Sequence, residues 1–204
     1  MIHMNHRSLN KVSKEKVLRS ALDLFSSKGY SETKMAEIAK GSGLSVGALY
    51  LRFKNKEELF LELIKDQTRD FVERTGELPA EDPVEALKKY ITMNLEYSFQ
   101  KRQMLSVFFK EYNLPFLHPL RRNFFKTQHM IIADILSAGI KRKMFRPMSV
   151  KDAAAVIFAS IRGAVFLKLI FGIGDVKKMS QSLFELITDG IRCGSETIKI
   201  SEEE

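Results

Sequence analysis

Cysteine, tryptophan and strand-forming patterns are scarce in this chain of 204 residues. It has one cysteine, Cys193, and no tryptophan. A single cysteine excludes a disulfide framework within the chain and a metal site built from several cysteines, and it fits a reducing compartment such as the cytoplasm. Apolar residues recur at helical spacing along most of the chain. We therefore expect an all-α protein of one or two domains with a sizeable core.

A secretion signal and an uninterrupted apolar run are also lacking. The first 16 residues, MIHMNHRSLNKVSKEK, are polar and contain no apolar core, so we expect a loose basic arm. The longest apolar stretch, 153–174, contains Arg162 and Lys168, whereas a membrane span needs about 20 consecutive apolar residues. We expect this stretch to be a buried helix in a cytoplasmic protein that has no membrane partner.

Patterns for catalysis and metal binding are not found either. The sequence has no phosphate-binding glycine loop and no GxSxG motif. His118 and His129 are eleven residues apart and could share a helical face, but no cysteine or acidic residue flanks either of them. We therefore predict a protein that is not an enzyme and has no catalytic residues, no metal site and no cofactor.

Acidic residues are rare in the N-terminal quarter, where the basic excess is concentrated. Residues 1–56 contain 11 Lys and Arg against 4 Asp and Glu, a net charge of +7, while the whole chain carries +8. Such a local excess is typical of a nucleic-acid-binding surface, although a solvated basic face gives the same count.

The most informative stretch is TKMAEIAKGSGLSVGALYLRFKNK, residues 33–56. It contains two short helical patterns joined by a tight turn, at which Gly43 suits a left-handed backbone. Ser45 is a natural N-cap for the second helix, and Leu49 and Phe53 form the inner face of that helix. Two helices joined in this way predict a helix-turn-helix, which fits the major groove of DNA. An ordinary corner between helices gives the same pattern.

The outward face of the second helix then becomes the candidate reading surface. Asn55 starts a further helix with Lys56 in its first turn, where a cation opposes the helix dipole unless an anion such as a phosphate lies nearby. The residues that the second helix offers to the outside are Ser45, Val46, Gly47, Ala48, Tyr50, Leu51 and Arg52.

Residues 17–60 resemble the DNA-binding domain of the TetR family of bacterial transcriptional regulators. The resemblance covers about a quarter of the chain, and the remainder is similar to the family only in length and helical character. The matching residues are Ala21, Leu24, Phe25, Gly29, Tyr30, Thr33, Ile38, Ala39, Gly43, Leu44, Ser45, Gly47, Leu49, Tyr50, Phe53 and 56–60 (KEELF).

The resemblance implies an all-α fold of about nine helices. It predicts a basic arm with a three-helix DNA-binding domain at 1–55, and a ligand-binding and dimerisation domain at 56–204 whose first helix, 56–75, links the two. Helical patterns and capping signals place the remaining helices at 14–28, 56–74, from Pro83, 102–112, 120–143, 149–171 and 175–194, with Ser13, Asp82 and Ser149 as starting signals.

The resemblance also assigns roles to the residues of the reader. It implies that Ser45, Val46, Gly47 and Ala48 face base edges, and that Lys34, Tyr50, Leu51, Arg52 and Lys56 meet phosphates or bases. The chain departs from the common pattern with Leu51 in place of a polar aromatic residue or histidine, Val46 in place of lysine and Ala36 in place of arginine. Few hydrogen bonds to bases remain, so apolar contact with thymine methyl groups and DNA shape should carry more of the recognition.

Phenylalanine and methionine are abundant between residues 104 and 158. The resemblance implies a pocket for a small ligand in this part, since methionine and aromatic linings adapt to varied apolar molecules; such residues also fill ordinary cores. His118 is a further possible polar anchor. The candidate ligand-binding residues are Arg102, Met104, Phe108, Phe109, Tyr112, Phe124, His129 and Phe158.

Small residues are concentrated near the start of the eighth predicted helix. The resemblance implies that the last two helices pair with those of a second copy as a four-helix bundle, although tight packing within one subunit also favours small side chains. The residues are Ala153, Ala154, Ala155, Ala159, Ser160, Gly163 and Ala164.

The function that follows is a TetR-type transcriptional regulator. We expect a homodimeric repressor that binds double-stranded operator DNA and is released by an apolar or amphipathic ligand of unknown identity. Two other functions stay open: an all-helical carrier or enzyme with a basic N-terminus, and a helix-turn-helix protein that organises DNA without an inducer.

Overall fold

The computed structural model describes residues 6–78, 81–111 and 113–192, with side chains from residue 14 onward. Cys193 and the acidic tail lie outside these residues. The described part is helical, with one isolated β-bridge between Phe145 and Arg192, which confirms the predicted all-α class. Its elements are α1 (His6–Lys28), α2 (Met35–Ser42), α3 (Val46–Tyr50), α4 (Lys56–Thr75), α5 (Pro83–Gln100), α6 (Arg102–Lys110), a 3-10 turn (Pro115–Leu117), α7 (His118–Lys141), α8 (Val150–Phe171) and α9 (Val176–Ile191).

Two predicted helix starts are wrong. The first helix begins at His6 rather than after Ser13, because residues 6–13 contain no proline or glycine to stop it, and the predicted loose arm is therefore helical from residue 6. The seventh helix begins at His118 rather than at Leu120. Pro119 was treated as an interruption, but proline is tolerated in the first turn of a helix, where its missing N–H has no partner to lose.

The chain forms two packed units, and each is built from two segments. The first unit comprises 1–73 with 101–120, and the second comprises 74–100 with 121–204. This packing boundary differs from the predicted one at residue 55, because Met104, Val107 and Leu117 are buried in the core of the first unit. Packing of residues distant in sequence is not visible in a local pattern.

The core of the first unit is centred on aromatic rings. The ring of Phe60 in α4 lies 5.1 Å from that of Phe25 in α1 and 5.2 Å from that of Tyr30. The ring of Phe116 is 5.4 Å from that of Tyr30. Since such ring pairs add to the burial of large apolar areas, these contacts fix the helices that hold α3.

The second unit packs α5 against α8 and α9. From α5, Leu87, Tyr90, Ile91 and Leu95 are fully buried, and they follow the i, i+3, i+4 spacing of one helical face. Ser149 caps α8, and its hydroxyl accepts a hydrogen bond from Asp152 N–H at 3.4 Å, as the sequence predicted.

One helix of the second unit leaves an apolar face uncovered. By length and composition alone α8 is long and apolar enough to cross a membrane, yet only 22% of its most apolar 18-residue stretch is buried. The prediction of a buried helix is therefore wrong for its outer face, although Ala154, Ile157, Ile161 and Val165 are buried on the inner one.

Candidate nucleic-acid interface

The turn between α2 and α3 has the geometry of a helix-turn-helix. Gly43 ends α2 in a left-handed conformation with φ +75°, where a side chain would be strained. The next N–H, from Leu44, donates to the Ala39 carbonyl at 2.9 Å. Ser45 then caps α3, and its hydroxyl accepts from Ala48 N–H at 3.1 Å. Both caps match the signals in the sequence.

Close packing fixes α2 on α1. An ideal Cβ at Gly41 would lie 2.3 Å from the Ser20 hydroxyl oxygen, and that hydroxyl donates to the Ile38 carbonyl at 3.2 Å. Leu49 of α3 is fully buried and Phe53 nearly so. The two short helices are therefore held rigidly, as a surface that reads DNA requires.

The outward face of α3 is exposed and mainly apolar. The exposed fractions are 42% for Val46, 49% for Tyr50 and 90% for Leu51. Gly47 is exposed, and a Cβ built on it would meet nothing within 4 Å. Such a face can approach base edges and thymine methyl groups closely.

The cations around this face differ in accessibility. Lys34, Lys40 and Lys54 are exposed, while Arg52 is partly exposed. Exposed lysines can neutralise phosphates without losing contacts within the protein. Lys34 and Arg52 are the two of these four that the sequence assigned to DNA.

Lys56 lies in a different environment. Its Nζ donates to the carbonyl oxygens of Tyr30 at 2.6 Å, Ser31 at 3.1 Å and Thr33 at 2.9 Å, and it lies 4.4 Å from the centre of the Tyr30 ring. Burial lowers the pKa of the Lys56 ammonium, while Glu111 and Glu32 oppose this change. All three N–H donors are thus used within the protein, so a phosphate contact would have to replace one of these bonds.

A second hydrogen bond that holds the turn between α1 and α2 was not predicted. The Glu111 carboxylate, just after α6, accepts a hydrogen bond from Tyr30 N–H at 2.8 Å. Burial, followed by Glu57 and Glu111, raises the pKa of the Tyr30 phenol to about 12. The two partners are 81 residues apart, and no local pattern connects them.

Comparison with known proteins agrees with this geometry. The family described as bacterial regulatory proteins, tetR family, matches residues 17–63. The Bacillus subtilis fatty acid metabolism regulator protein is 25% identical over 182 residues, covering 86% of this chain and 93% of that protein. The Shigella flexneri transcriptional regulator AcrR is 28% identical over 155 residues, covering 71% and 72%. Residues 17–63 therefore form a domain of the TetR family.

A solved structure extends the likeness to the whole fold. The transcriptional regulator FadR from Bacillus subtilis, crystallised with stearoyl-CoA, superposes with a TM-score of 0.74 at 24% identity. The superposition covers 87% of this chain and 99% of that one. The two proteins therefore share one fold, a helix-turn-helix near the N-terminus followed by further helices.

The candidate ligand residues fall into both packed units. In the first unit Met104 is buried in the core and Phe108 packs against it. Arg102 is exposed and Phe109 partly exposed, and His118 is exposed at the start of α7. Tyr112 lies outside the described residues.

The remaining candidates lie together in the second unit. The ring of Phe158 lies 6.4 Å from that of Phe124 and 5.3 Å from that of Phe125. His129 Nε2 lies 2.9 Å from the Lys151 carbonyl oxygen, a bond that joins α7 to α8. Across 6–78, 81–111 and 113–192 no group of three or more His, Cys, Asp or Glu side chains is arranged to hold a metal.

Proposed function

We propose that this TetR-family protein is a transcriptional repressor that binds operator DNA through α3 as a homodimer and is released by a small ligand held in its C-terminal unit. The observation that supports this proposal most strongly is the exposed outer face of α3. A helix held by buried Leu49 and Phe53 exposes Leu51 and Tyr50 in a chain whose first 56 residues carry +7. A carrier or an enzyme has no need of that arrangement.

Within this proposal the bases are read with few hydrogen bonds. Val46, Gly47, Ala48 and Leu51 would contact base edges and thymine methyl groups, while Ser45 and Tyr50 supply hydroxyl groups. Lys34 and Arg52 would meet phosphates, which fix register and orientation.

The proposed dimer interface is the uncovered face of α8 and α9. The small residues Ala159 and Gly163 are exposed on α8, and a Cβ at Gly163 would meet nothing within 4 Å. Ala154 of the predicted small face is buried within the chain instead. An apolar face of this size needs a partner, and a second copy would supply the same face in an isologous pair. The large exposed apolar side chains are Val156, Phe166, Leu167, Ile170 and Phe171 on α8, Ile173 after it, and Leu186 on α9.

Ligand release would follow from a shift between two states of the dimer. A ligand that binds one state better moves the population toward it, and the spacing of the two α3 helices then no longer matches the half-sites. α4 runs from residue 56 of the first unit to residue 75 in the second, so it is one of the covalent connections that could transmit that change. Such a regulator acts where the chromosome is, which is the cytoplasm of a bacterium.

The test is selection of binding DNA from genomic fragments, followed by a mobility shift with and without cell metabolites. A repressor should select a two-fold symmetric site near a promoter and release it with a particular metabolite fraction. A DNA-organising protein would bind without selection and without release. A carrier or enzyme would not shift DNA at all, which would overturn the proposal.

A further inference from the structure

Arg162 lies in the middle of α8 and its side chain joins a buried polar cluster in the second unit. Its Nη2 donates to the Asn94 side-chain oxygen at 2.9 Å, and the guanidinium carbon lies 5.6 Å from the centre of the Phe158 ring. Its Nε is buried and has no hydrogen-bond partner. The Nε–H group has therefore lost its hydrogen bond to water and has gained none within the protein.

The other polar groups of this cluster are uncharged. Tyr90 donates its hydroxyl to the Gln128 side-chain oxygen at 2.8 Å, the Asn94 amide nitrogen donates to the Tyr90 carbonyl at 3.0 Å, and Ser98 donates to the Asn94 carbonyl at 2.6 Å. Ion pairs among the described residues include Lys14–Glu62, Lys28–Glu37 and Arg69–Asp66. None of them includes Arg162.

A buried cation with no acid beside it is costly to the protein. Removal from water disfavours the charged form, and burial accordingly lowers the pKa of Arg162, with Tyr90 opposing this change. A carboxylate is the usual compensation for such a cation. An amide oxygen and a ring face are weaker neighbours, and a stronger acceptor can displace them.

Apolar side chains lie next to the guanidinium. Phe158 joins Phe124 and Phe125 in one cluster between α7 and α8. Phe125 is 45% exposed, and Arg162 as a whole is partly accessible. The cluster therefore extends to the surface of the second unit at Phe125.

From this geometry we infer that the second unit binds an amphipathic anion. Its oxyanion pairs with the guanidinium fork of Arg162, and its apolar part packs against Phe124, Phe125 and Phe158. The fork matches the two oxygens of a carboxylate or a phosphate. This rests on the proposed function, for which it names the class of ligand and the residue that selects it.

The experiment uses three probes with the same apolar chain: dodecanoate, dodecyl phosphate and dodecanol. The two anions are used below their critical micelle concentrations, and dodecanol below its solubility in water. Calorimetry measures their binding to the full chain and to Arg162→Gln, whose amide can still donate to Asn94. We expect at least one anion to bind the natural protein more tightly than dodecanol does, and to lose about 10- to 100-fold in affinity in Arg162→Gln, while dodecanol is unaffected.

Lys151→Met is the matched control, since it removes a positive charge from an exposed position of the same helix. It should change each affinity less than threefold. Arg162→Lys keeps the positive charge but loses the guanidinium fork, so it should bind the anion with intermediate affinity. If Arg162→Gln does not fold, the comparison is made with Arg162→Lys instead. Equal affinity of the natural protein for all three probes, or the same anion affinity in the Arg162 variants, would overturn the inference.

A mobility shift on the same samples separates this inference from the proposed function. If the anion binds through Arg162 without releasing DNA, the ligand site stands and the inducer role fails. If DNA binds and no anion is preferred, the DNA-binding role stands and the ligand site fails.

Discussion

At the scale of single residues, Lys56 shows a lysine whose charge is used inside the protein. Its ammonium joins the first turn of α4 to three carbonyl oxygens of the α1–α2 turn. A hydrogen bond that involves a charged group is worth about 1.5–3 kcal/mol. The position therefore contributes to the stability of the first unit, whatever it does with DNA.

We expect Lys56→Met to lower the free energy of unfolding by about 2–3 kcal/mol, because the carbonyls lose a charged donor. Urea denaturation followed by circular dichroism measures this. Lys54→Met, which changes an exposed lysine two residues away, should alter it by less than about 0.5 kcal/mol. Unchanged stability in Lys56→Met together with weaker DNA binding would instead make Lys56 a phosphate contact.

Tyr30, in the turn between α1 and α2, should make the stability of the folded protein depend on pH in the alkaline range. Its pKa is about 12 in the folded chain and about 10 when unfolded. Between these values the unfolded chain binds fewer protons, so stability is intact below pH 10 and falls as the pH rises toward 12. In Tyr30→Phe this fall should be smaller by about 1–2 kcal/mol. Urea midpoints at pH 9, 10 and 11 provide the measurement, and parallel curves for the two proteins would contradict it.

At the scale of elements, α3 combines a fixed inner face with an apolar outer one. The caps at Ser45 and Gly43 are local and were predicted, because a hydroxyl and a missing Cβ act within a few residues. The exposure of Leu51 also followed from the helical period. The start of α1 was not predicted, because nothing in residues 6–13 marks where a helix must begin.

Leu51 gives the clearest test of whether the protein recognises its operator through apolar contacts with thymine methyl groups. Replacing single thymines of the selected operator by uracil removes one methyl group, which is worth about 0.8 kcal/mol when buried. We expect about a fourfold loss of affinity at one or two positions for the natural protein, and no such loss for Leu51→Ala. Fluorescence anisotropy measures both. Val72→Ala, an exposed apolar residue of α4, should keep the natural pattern; a Leu51→Ala protein that also keeps it would exclude the contact.

Elements distant in sequence mark the limit of prediction. Met104 and Phe108 carry the composition of a ligand pocket, yet they belong to the core of the first unit together with α1, α2 and α4. The hydrogen bond that Glu111 accepts from Tyr30 N–H could not be predicted for the same reason, since its partners are far apart in sequence. Composition tells which residues avoid water, but the partner of each depends on how α6 is placed.

At the scale of the whole molecule, the uncovered face of α8 is the feature that a single chain does not explain. Gly163 lies on this face with open space where a Cβ would be. Close approach of a second helix requires such space, whereas the folding of one chain does not. A substitution at Gly163 should therefore affect dimer formation without affecting the folding of the single chain.

We expect Gly163→Arg to fold normally and to weaken the dimer by about 100-fold or more, since a cation would be desolvated at the interface. Light scattering across a dilution series gives the mass, and circular dichroism gives the helix content. Thr127→Arg places the same side chain on an exposed position of α7 and should leave the mass unchanged. A Gly163→Arg protein that keeps the mass of the natural protein at every dilution would exclude this face as the interface.

The interleaving of the two units has a practical consequence for chimaeric regulators. The chain passes from the first unit to the second after residue 73, returns at 101 and leaves again after 120. A fragment cut at the end of α4 would lack Met104, Val107 and Leu117 and would expose the apolar sites that they fill. Exchange of the sensor for that of another regulator therefore requires three junctions rather than one, and 101–120 must travel with the DNA reader.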